Sequence, residues 1–322
     1  MKSLTINFWR KCSNNCLFCF CREKDFLVEE ITAPVIDSPV SLGQALRRYR
    51  PTCDWLIISG NEPTLNPNLL KVILLAKKNG YGAEIRTNGR MLKNRKFCLK
   101  LMKAGLDSIG ITLLSHKAKT HNFLTRTKNS FQETVQGIKN FIVLAGAGHM
   151  TIYTVINRFN FRHLAKIVSF CHKLGAKNLQ LNFVYHNNKK IVPQFSELKK
   201  PLHQALALAT RLGLNVGTYG IPFCFLGQYQ KLATELRIKN EVILGGRIND
   251  YNYLRTNLGK RKTKYCQKCS QKNICEGTWK SYYHIYGEEE FKNRVPQQRG
   301  EGEEEDLSSS PAKPSKIKPN RR

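Results

Sequence analysis

The feature that most restricts the fold of this chain is a regular alternation over its first two hundred residues. Short β-like runs at Leu4–Phe8, Trp55–Ser59, Ala83–Arg86, Ser108–Leu114, Met150–Ile156 and Leu179–Val184 are separated by amphipathic stretches. Those stretches are Ser41–Tyr49, Pro67–Lys78, Arg95–Ala104, Ser130–Ala145 and Phe161–Lys173. Gly80, Gly105 and Gly175 fall where three of them end, and glycine is the residue that helix C-termini favour. Strand–helix alternation of this kind predicts an α/β chain on a parallel sheet, either barrel or open. Beyond residue 200 the rhythm changes. Pro201–Leu212 reads as a helix, Leu214–Tyr219 as a last strand, and residues 222–287 as irregular. From about Phe291 the chain is rich in Glu, Ser, Pro and Lys with almost no apolar residues. Such a segment buries too little to offset its ordering entropy, so a disordered tail is expected there. The expected divisions are 1–205, 206–290 and 291–322.

Eleven cysteines call for an explanation. In the cytosol disulfides are rare, so clustered cysteines point to metal or catalysis, and an odd count argues against complete pairing. Cys12, Cys16, Cys19 and Cys21 form one cluster and Cys266, Cys269 and Cys275 another. Cys53, Cys98 and Cys171 stand alone in apolar or helical surroundings and read as small buried hydrophobes. No apolar run is long enough to span a membrane; the best, 141–156, is broken by Gly146, Gly148 and His149. The N-terminus lacks an apolar core and a cleavage site and reads as a first strand. A soluble, cytoplasmic protein without a membrane partner is the expectation.

The formal charge is +30, and it resides before residue 288, because acidic and basic residues balance after that point. Such a body attracts polyanions such as RNA, DNA or an acidic peptide. It is equally read as a lysine-rich solvated surface, since the charges are spread along the chain. The densest run, Lys260 to Lys264, lies directly before the second cysteine cluster.

Cys12-x3-Cys16-x2-Cys19 directly follows the first expected strand, with the aromatic Phe18 before its third cysteine. Three thiolates on one loop can bind three irons of a cubane cluster and leave the fourth open. Structural zinc wants four closed ligands, and Cys21 could supply the fourth. Spacing alone leaves both open. The companions decide more. CSNNCLFC resembles the CxxxCxΦC hallmark of the radical S-adenosylmethionine (SAM) superfamily, where Φ is aromatic. Ser59-Gly60-Asn61-Glu62-Pro63-Thr64-Leu65 resembles the superfamily's GGEP segment, with Asn61 in place of the second glycine. Asparagine tolerates left-handed backbone angles, so the turn is expected to survive. Thr87-Asn88-Gly89 resembles its TNG, and Ser115-His116, His121, Leu124-Thr125 and Ser130-Phe131 resemble a pattern after the fourth strand. Cys12 to Cys19, Gly60 to Pro63, Thr87-Asn88, Ser115-His116 and Asn157 all follow expected strands, so in a parallel barrel they would meet at one rim.

The resemblance covers about residues 1–200 and implies a partial (β/α)6-type TIM barrel with a small irregular cysteine-rich C-terminal domain. It implies that Cys12, Cys16 and Cys19 hold a [4Fe–4S] cluster and that SAM chelates the fourth iron. Phe18 would lie near the adenine, Gly60, Asn61, Glu62 and Pro63 near the methionine amino group, and Ser115 near the ribose. Thr87 and Asn88 complete the implied cofactor-binding set. One electron, from a reductant such as ferredoxin or flavodoxin, would cleave SAM to methionine and a 5′-deoxyadenosyl radical. The cofactor carries the hard chemistry while the protein positions the substrate and excludes water.

Cys266-x2-Cys269-x5-Cys275 resembles the auxiliary-cluster regions of SPASM- and twitch-type superfamily members, with Cys224 as a fourth ligand from upstream. One second [4Fe–4S] cluster is the most this implies, and a tetrahedral zinc site is the alternative. The aromatic run Trp279, Tyr282, Tyr283, Tyr286 reads as packing between domains rather than as a base-stacking platform. The leading expectation is an enzyme that modifies a peptide or protein. An RNA-modifying enzyme is the alternative favoured by charge. A non-catalytic Fe–S or zinc nucleic-acid-binding module is the third, suggested only by Asn61.

Overall fold

A computed structural model of the chain describes residues 2–7, 9–23, 29, 39–238, 241–244 and 250–294. Eight strands form one parallel sheet: β1 (Ser3–Asn7), β2 (Trp55–Ser59), β3 (Gly82–Thr87), β4 (Ser108–Thr112), β5 (Met150–Ile156), β6 (Asn178–Phe183), β7 (Asn215–Tyr219) and β8 (Glu241–Leu244). The order is β7-β6-β5-β4-β3-β2-β1-β8. From β1 to β7 each strand lies beside its predecessor. Right-handed crossovers between successive neighbours put every connecting helix on the same face. That is the strand order of a barrel wall, not of a doubly wound sheet. Tyr219, at the end of β7, and Tyr251, beyond β8, share a 2.8 Å hydrogen bond.

The helices are α1 (Pro39–Tyr49), α2 (Leu69–Lys78), α3 (Arg95–Lys103), α4 (Ala118–Thr125), α5 (Ser130–Ala145), α6 (Leu164–Lys173) and α7 (Phe195–Arg211). Strand alternation shows which face they cover. On β5, Met150, Ile152, Thr154 and Ile156 are buried while Tyr153 and Val155 are not fully so. β3 and β6 alternate in the same way. The buried set packs against helices, and the other set points to the inner face. Cys53, Cys98 and Cys171 are buried in this core, as expected for lone cysteines. Among the described residues no helix is long and apolar enough to cross a membrane.

The observed bounds coincide with expectation for β2, β5 and α5. Larger differences occur at three elements: α4 (Ala118–Thr125) was not expected, and α7 and β8 also depart. α7 begins at Phe195, not Pro201, because Gln194 and Glu197 form a capping box six residues or so ahead of the proline, which lies inside the helix. β8 was not expected, and it pairs with β1 on the side away from β2. From residue 250 the chain forms short helical turns, a small antiparallel pairing of Lys260–Arg261 with Thr278–Trp279 and a helix over Lys280–Tyr286, and packs as an aromatic cluster. Phe195 lies 4.5 Å from Tyr282 and Phe225 lies 5.3 Å from Phe291, centroid to centroid. Packing is therefore the role of Tyr282 and Tyr283, both buried. Phe291, placed by composition at the start of the tail, is also buried. Residues 295–322 of that expected tail lie outside the described residues.

Candidate active site

The cysteine loop runs from the end of β1 and is held from three sides. Asn15 N and Leu17 N donate to Thr125 O and Leu124 O, both at 2.9 Å, tying it to the end of α4. Asn88 Nδ2 donates to Ser13 Oγ at 3.0 Å and approaches Cys12 Sγ at 3.9 Å. The Arg90 guanidinium bonds Ser13 O and Asn14 Oδ1, and is itself fixed by Glu133 at 2.6 Å. The thiols of Cys12, Cys16 and Cys19 feel one another's charge. Burial and these neighbours push Cys16 up to about 12. A hydrogen bond from Cys21 brings Cys19 down to about 6.

The segment after β2 has a different role from the one its position suggests. Glu62 is fully buried. Its carboxylate accepts from Thr64 N at 3.1 Å, Thr64 Oγ1 at 2.5 Å, Thr87 Oγ1 at 2.6 Å and Asn88 N at 2.7 Å. Burial raises its pKa while those four donors oppose the rise. Glu62 is thus a knot that joins the loops after β2 and β3. The turn's left-handed residue is Gly60, at φ 115°, and Asn61 is not among the positive-φ residues. Asparagine's tolerance of left-handed angles is therefore not what preserves the turn. Asn61 instead donates from its backbone to Trp9 O at 3.0 Å and from its side chain to Arg10 O, clamping the segment that leads from β1 to Cys12. Gly89, at φ 78°, has no room for a side chain: a Cβ would stand 2.6 Å from Ile111 Cγ2.

A cavity of about 420 Å³ opens at the C-terminal ends of the strands. Cys12, Cys16, Cys19 and Phe18 line it on one side. Gly60, Asn61, Thr87 and Asn88 line it from the loops after β2 and β3. Glu62, Pro63 and Ser115 do not reach it: Glu62 is the knot, Pro63 opens a short 3-10 turn, and Ser115 Oγ accepts from Lys117 N at 3.1 Å. The remaining wall was not anticipated from the sequence. Arg86, Tyr153 and Asn182 come from the inner faces of β3, β5 and β6, and Tyr219, Tyr251 and Trp279 from farther on. Their signal is weak but real, for Arg86, Asn182 and Tyr219 sit near the C-terminal ends of strands.

The site's companion histidines are structural in their contacts. His121 Nδ1 accepts from Leu114 N at 3.3 Å, and burial lowers its pKa to about 4, so its ring is neutral. His116 packs edge-on against His163 at 5.8 Å.

A second group of thiols lies in the C-terminal part. Cys224, on the short helix Phe223–Leu226, joins Cys266, Cys269 and Cys275 around an enclosed cavity of about 20 Å³. Burial and the three neighbouring thiols push the Cys224 thiol upward. Between this group and the large cavity lies a buried ion cluster. Lys260 Nζ lies 2.8 Å from Glu235 Oε1 and 2.8 Å from Glu276 Oε2. Arg255 pairs with Glu276 at 2.6 Å, and Glu235 also accepts from Gly220 N at 2.6 Å. The basic run 260–264 is therefore not wholly a solvated face, because its first lysine is 0% exposed in its side chain.

Among the described residues no three His, Cys, Asp or Glu side chains are gathered as they are around a single metal ion. A cubane cluster makes a different demand, one thiol for each iron spread round a larger body, and loop thiols beside an open cavity suit it. Cys12, Cys16 and Cys19 fit that demand with room left in the cavity for a further ligand.

Comparison with known proteins shows the family. The Radical SAM superfamily profile matches residues 6–171, more than half of the chain, and the chain belongs to that superfamily. It is a radical SAM enzyme, and the family implies SAM and a [4Fe–4S] cluster. A "Probable GTP 3',8-cyclase" of Saccharolobus islandicus is 31% identical over 125 residues, 38% of this chain and 39% of the relative. The Fe-coproporphyrin III synthase of Methanosarcina barkeri is 27% identical over 139 residues, 42% of this chain and 32% of the relative. The chain thus spans well under two thirds of the curated relatives it matches. Among solved structures, Streptococcus suis SuiB bound to S-adenosylmethionine superposes with a TM-score of 0.61 at 17% identity, covering 88% of this chain and 73% of that one. Native anSMEcpe with bound AdoMet gives 0.62 at 14% identity, covering 92% and 93%. These similarities show the fold and extend it over most of the chain.

Proposed function

We propose that this chain cleaves SAM reductively at a cluster held by Cys12, Cys16 and Cys19, and uses the resulting radical to modify a peptide. The observation that carries this reading is the lining of the cavity at the strand ends. It has the cysteine loop and the Gly60–Asn61 and Thr87–Asn88 loops on one side, and an aromatic wall from the C-terminal part on the other. When bound, the cluster supplies the electron that splits SAM. The protein's own part is to hold the loop still through Asn88, Arg90 and Asn61, and to surround the reacting groups with side chains instead of water. Cys224, Cys266, Cys269 and Cys275 would hold a second cluster, and the small size of that cavity suits a closed site better than one that meets SAM. Free thiols in such number suit a reducing cytoplasm, and a ferredoxin or flavodoxin would be the electron donor.

Two of the similar structures are titled as peptide complexes, SuiB with precursor peptide SuiA and anSMEcpe with the Cp18Cys peptide. The cavity's chemistry favours a peptide over the nucleotide named for the curated relatives. Arg86 is the only Lys or Arg among the described lining residues, and Glu84 lies 3.2 Å from it. A triphosphate calls for several cations or a nest of backbone donors. The +30 charge keeps RNA as the second reading, and its binding would weaken steeply with salt.

The test is anaerobic reconstitution with iron and sulfide, followed by SAM and dithionite. About eight irons per chain and formation of 5′-deoxyadenosine are expected for two cubane clusters. Protein with its clusters intact that makes no 5′-deoxyadenosine, alone or with peptides present, would refute the reading.

A further inference from the structure

The wall of the cavity opposite the cysteine loop has an unusual electrical character. Tyr185 meets Trp279 edge-on at 5.2 Å, and Tyr219 lies 5.8 Å from Trp279, so three rings form one surface. A cage of aromatic faces ordinarily attracts a cation. Here that attraction is already used. The Lys260 ammonium lies 4.8 Å from the Tyr219 ring and 5.0 Å from the Trp279 ring. Lys260 does not line the cavity, so it serves these rings from behind, locked there by Glu235 and Glu276. A second ammonium on the cavity side would meet rings already polarised toward Lys260. A neutral, electron-rich ring stacked on the same rings meets no such opposition.

One polar group completes the surface. Asn182, on β6, lines the cavity beside this wall, and its Oδ1 is buried without a hydrogen-bond partner. Such an acceptor costs free energy until a donor reaches it. No carboxylate lines the cavity among the described residues to draw a cationic group instead.

We propose that this wall is the substrate subsite and that it takes a tyrosine or tryptophan side chain of a peptide, ring against Trp279 and Tyr219, with its O–H or N–H donated to Asn182 Oδ1. The inference rests on the peptide reading above and narrows it to a side-chain class. A lysine-directed or aliphatic-directed site would need a different wall.

The probes are the blocked amides N-acetyl-tyrosinamide, N-acetyl-tryptophanamide, N-acetyl-phenylalaninamide and N-acetyl-lysinamide, titrated by NMR into the full chain loaded with clusters and SAM. The tyrosine and tryptophan probes should bind about tenfold more tightly than the lysine probe. They should bind about fivefold more tightly than the phenylalanine probe, which keeps the ring and lacks the donor. Asn182→Ala should erase the preference for tyrosine over phenylalanine, with iron content and melting temperature checking that the variant is folded. Trp279→Leu should weaken all three aromatic probes. A lysine probe that binds as well as the aromatic ones, or an Asn182→Ala variant that keeps the preference, overturns the assignment while peptide modification stands. If none of the four binds and GTP does, the peptide reading fails, and the assignment with it.

Discussion

The two thiol sites of this molecule are held by different physics. Cys12, Cys16 and Cys19 lie on one short loop, and neutral or singly charged side chains from neighbouring strand ends fasten that loop: Asn61, Asn88 and Arg90. Cys224 comes from one segment and Cys266, Cys269 and Cys275 from another, and beside them stands the buried cluster of Lys260, Arg255, Glu235 and Glu276. The first arrangement leaves one side of the loop open to a cavity of about 420 Å³, whereas the second encloses about 20 Å³. A site that must admit a ligand is fixed at its edges, and a closed site is fixed by what lies behind it.

The largest effect that separates the two is on activity. Cys16→Ala should reduce 5′-deoxyadenosine formation to background while the spectrum of the C-terminal cluster persists. Residual SAM cleavage in that variant would show that the loop is not the reacting site. Next comes stability. Lys260→Met leaves two buried carboxylates without their shared cation, which should cost about 3–5 kcal/mol and lower the melting temperature. The same change should strip the C-terminal site of metal before the N-terminal one. Simultaneous loss from both sites would mean the comparison is false.

The two regions also differ in how far they were legible. The N-terminal candidate site was legible because its proposed ligands and companions are local: three cysteines on one loop, then Gly60, Thr87 and Asn88 at successive strand ends. What local spacing cannot show is direction. Glu62 belongs to the motif yet turns inward to bind Thr64, Thr87 and Asn88, and Ser115 turns to its own loop. The C-terminal thiols, Cys224 included, line one small cavity, but Lys260 looked like one more surface charge. Its burial depends on Glu235 and Glu276, which meet it only in the fold. β8 was missed for a similar reason, since a four-residue strand gains its stability from docking on β1, far away in sequence. Asn182 and Tyr153 gave only the alternation of an ordinary strand.

Two smaller effects sharpen the comparison on the N-terminal side. His121 has its pKa lowered from 6.5 to about 4 by burial. Between those values the unfolded chain binds a proton that the folded chain refuses. Stability should therefore be level above pH 7 and fall as pH drops from 6.5 toward 4, by about 3 kcal/mol at most. Denaturant titrations across that range should show the slope, and His121→Asn should flatten it. Asn61→Gly removes one side-chain hydrogen bond to Arg10 O, worth about 1 kcal/mol, and should loosen SAM binding a few-fold. A variant that binds SAM more tightly would mean that Asn61 obstructs the site instead of bracing it.

The most direct measurement of the central claim is electron paramagnetic resonance of the dithionite-reduced protein, recorded with and without SAM. The account predicts two [4Fe–4S] signals, one from each thiol site, with only the signal lost in Cys16→Ala shifting when SAM is added. Contradiction would come from a single signal, from two signals that both respond to SAM, or from two that both ignore it.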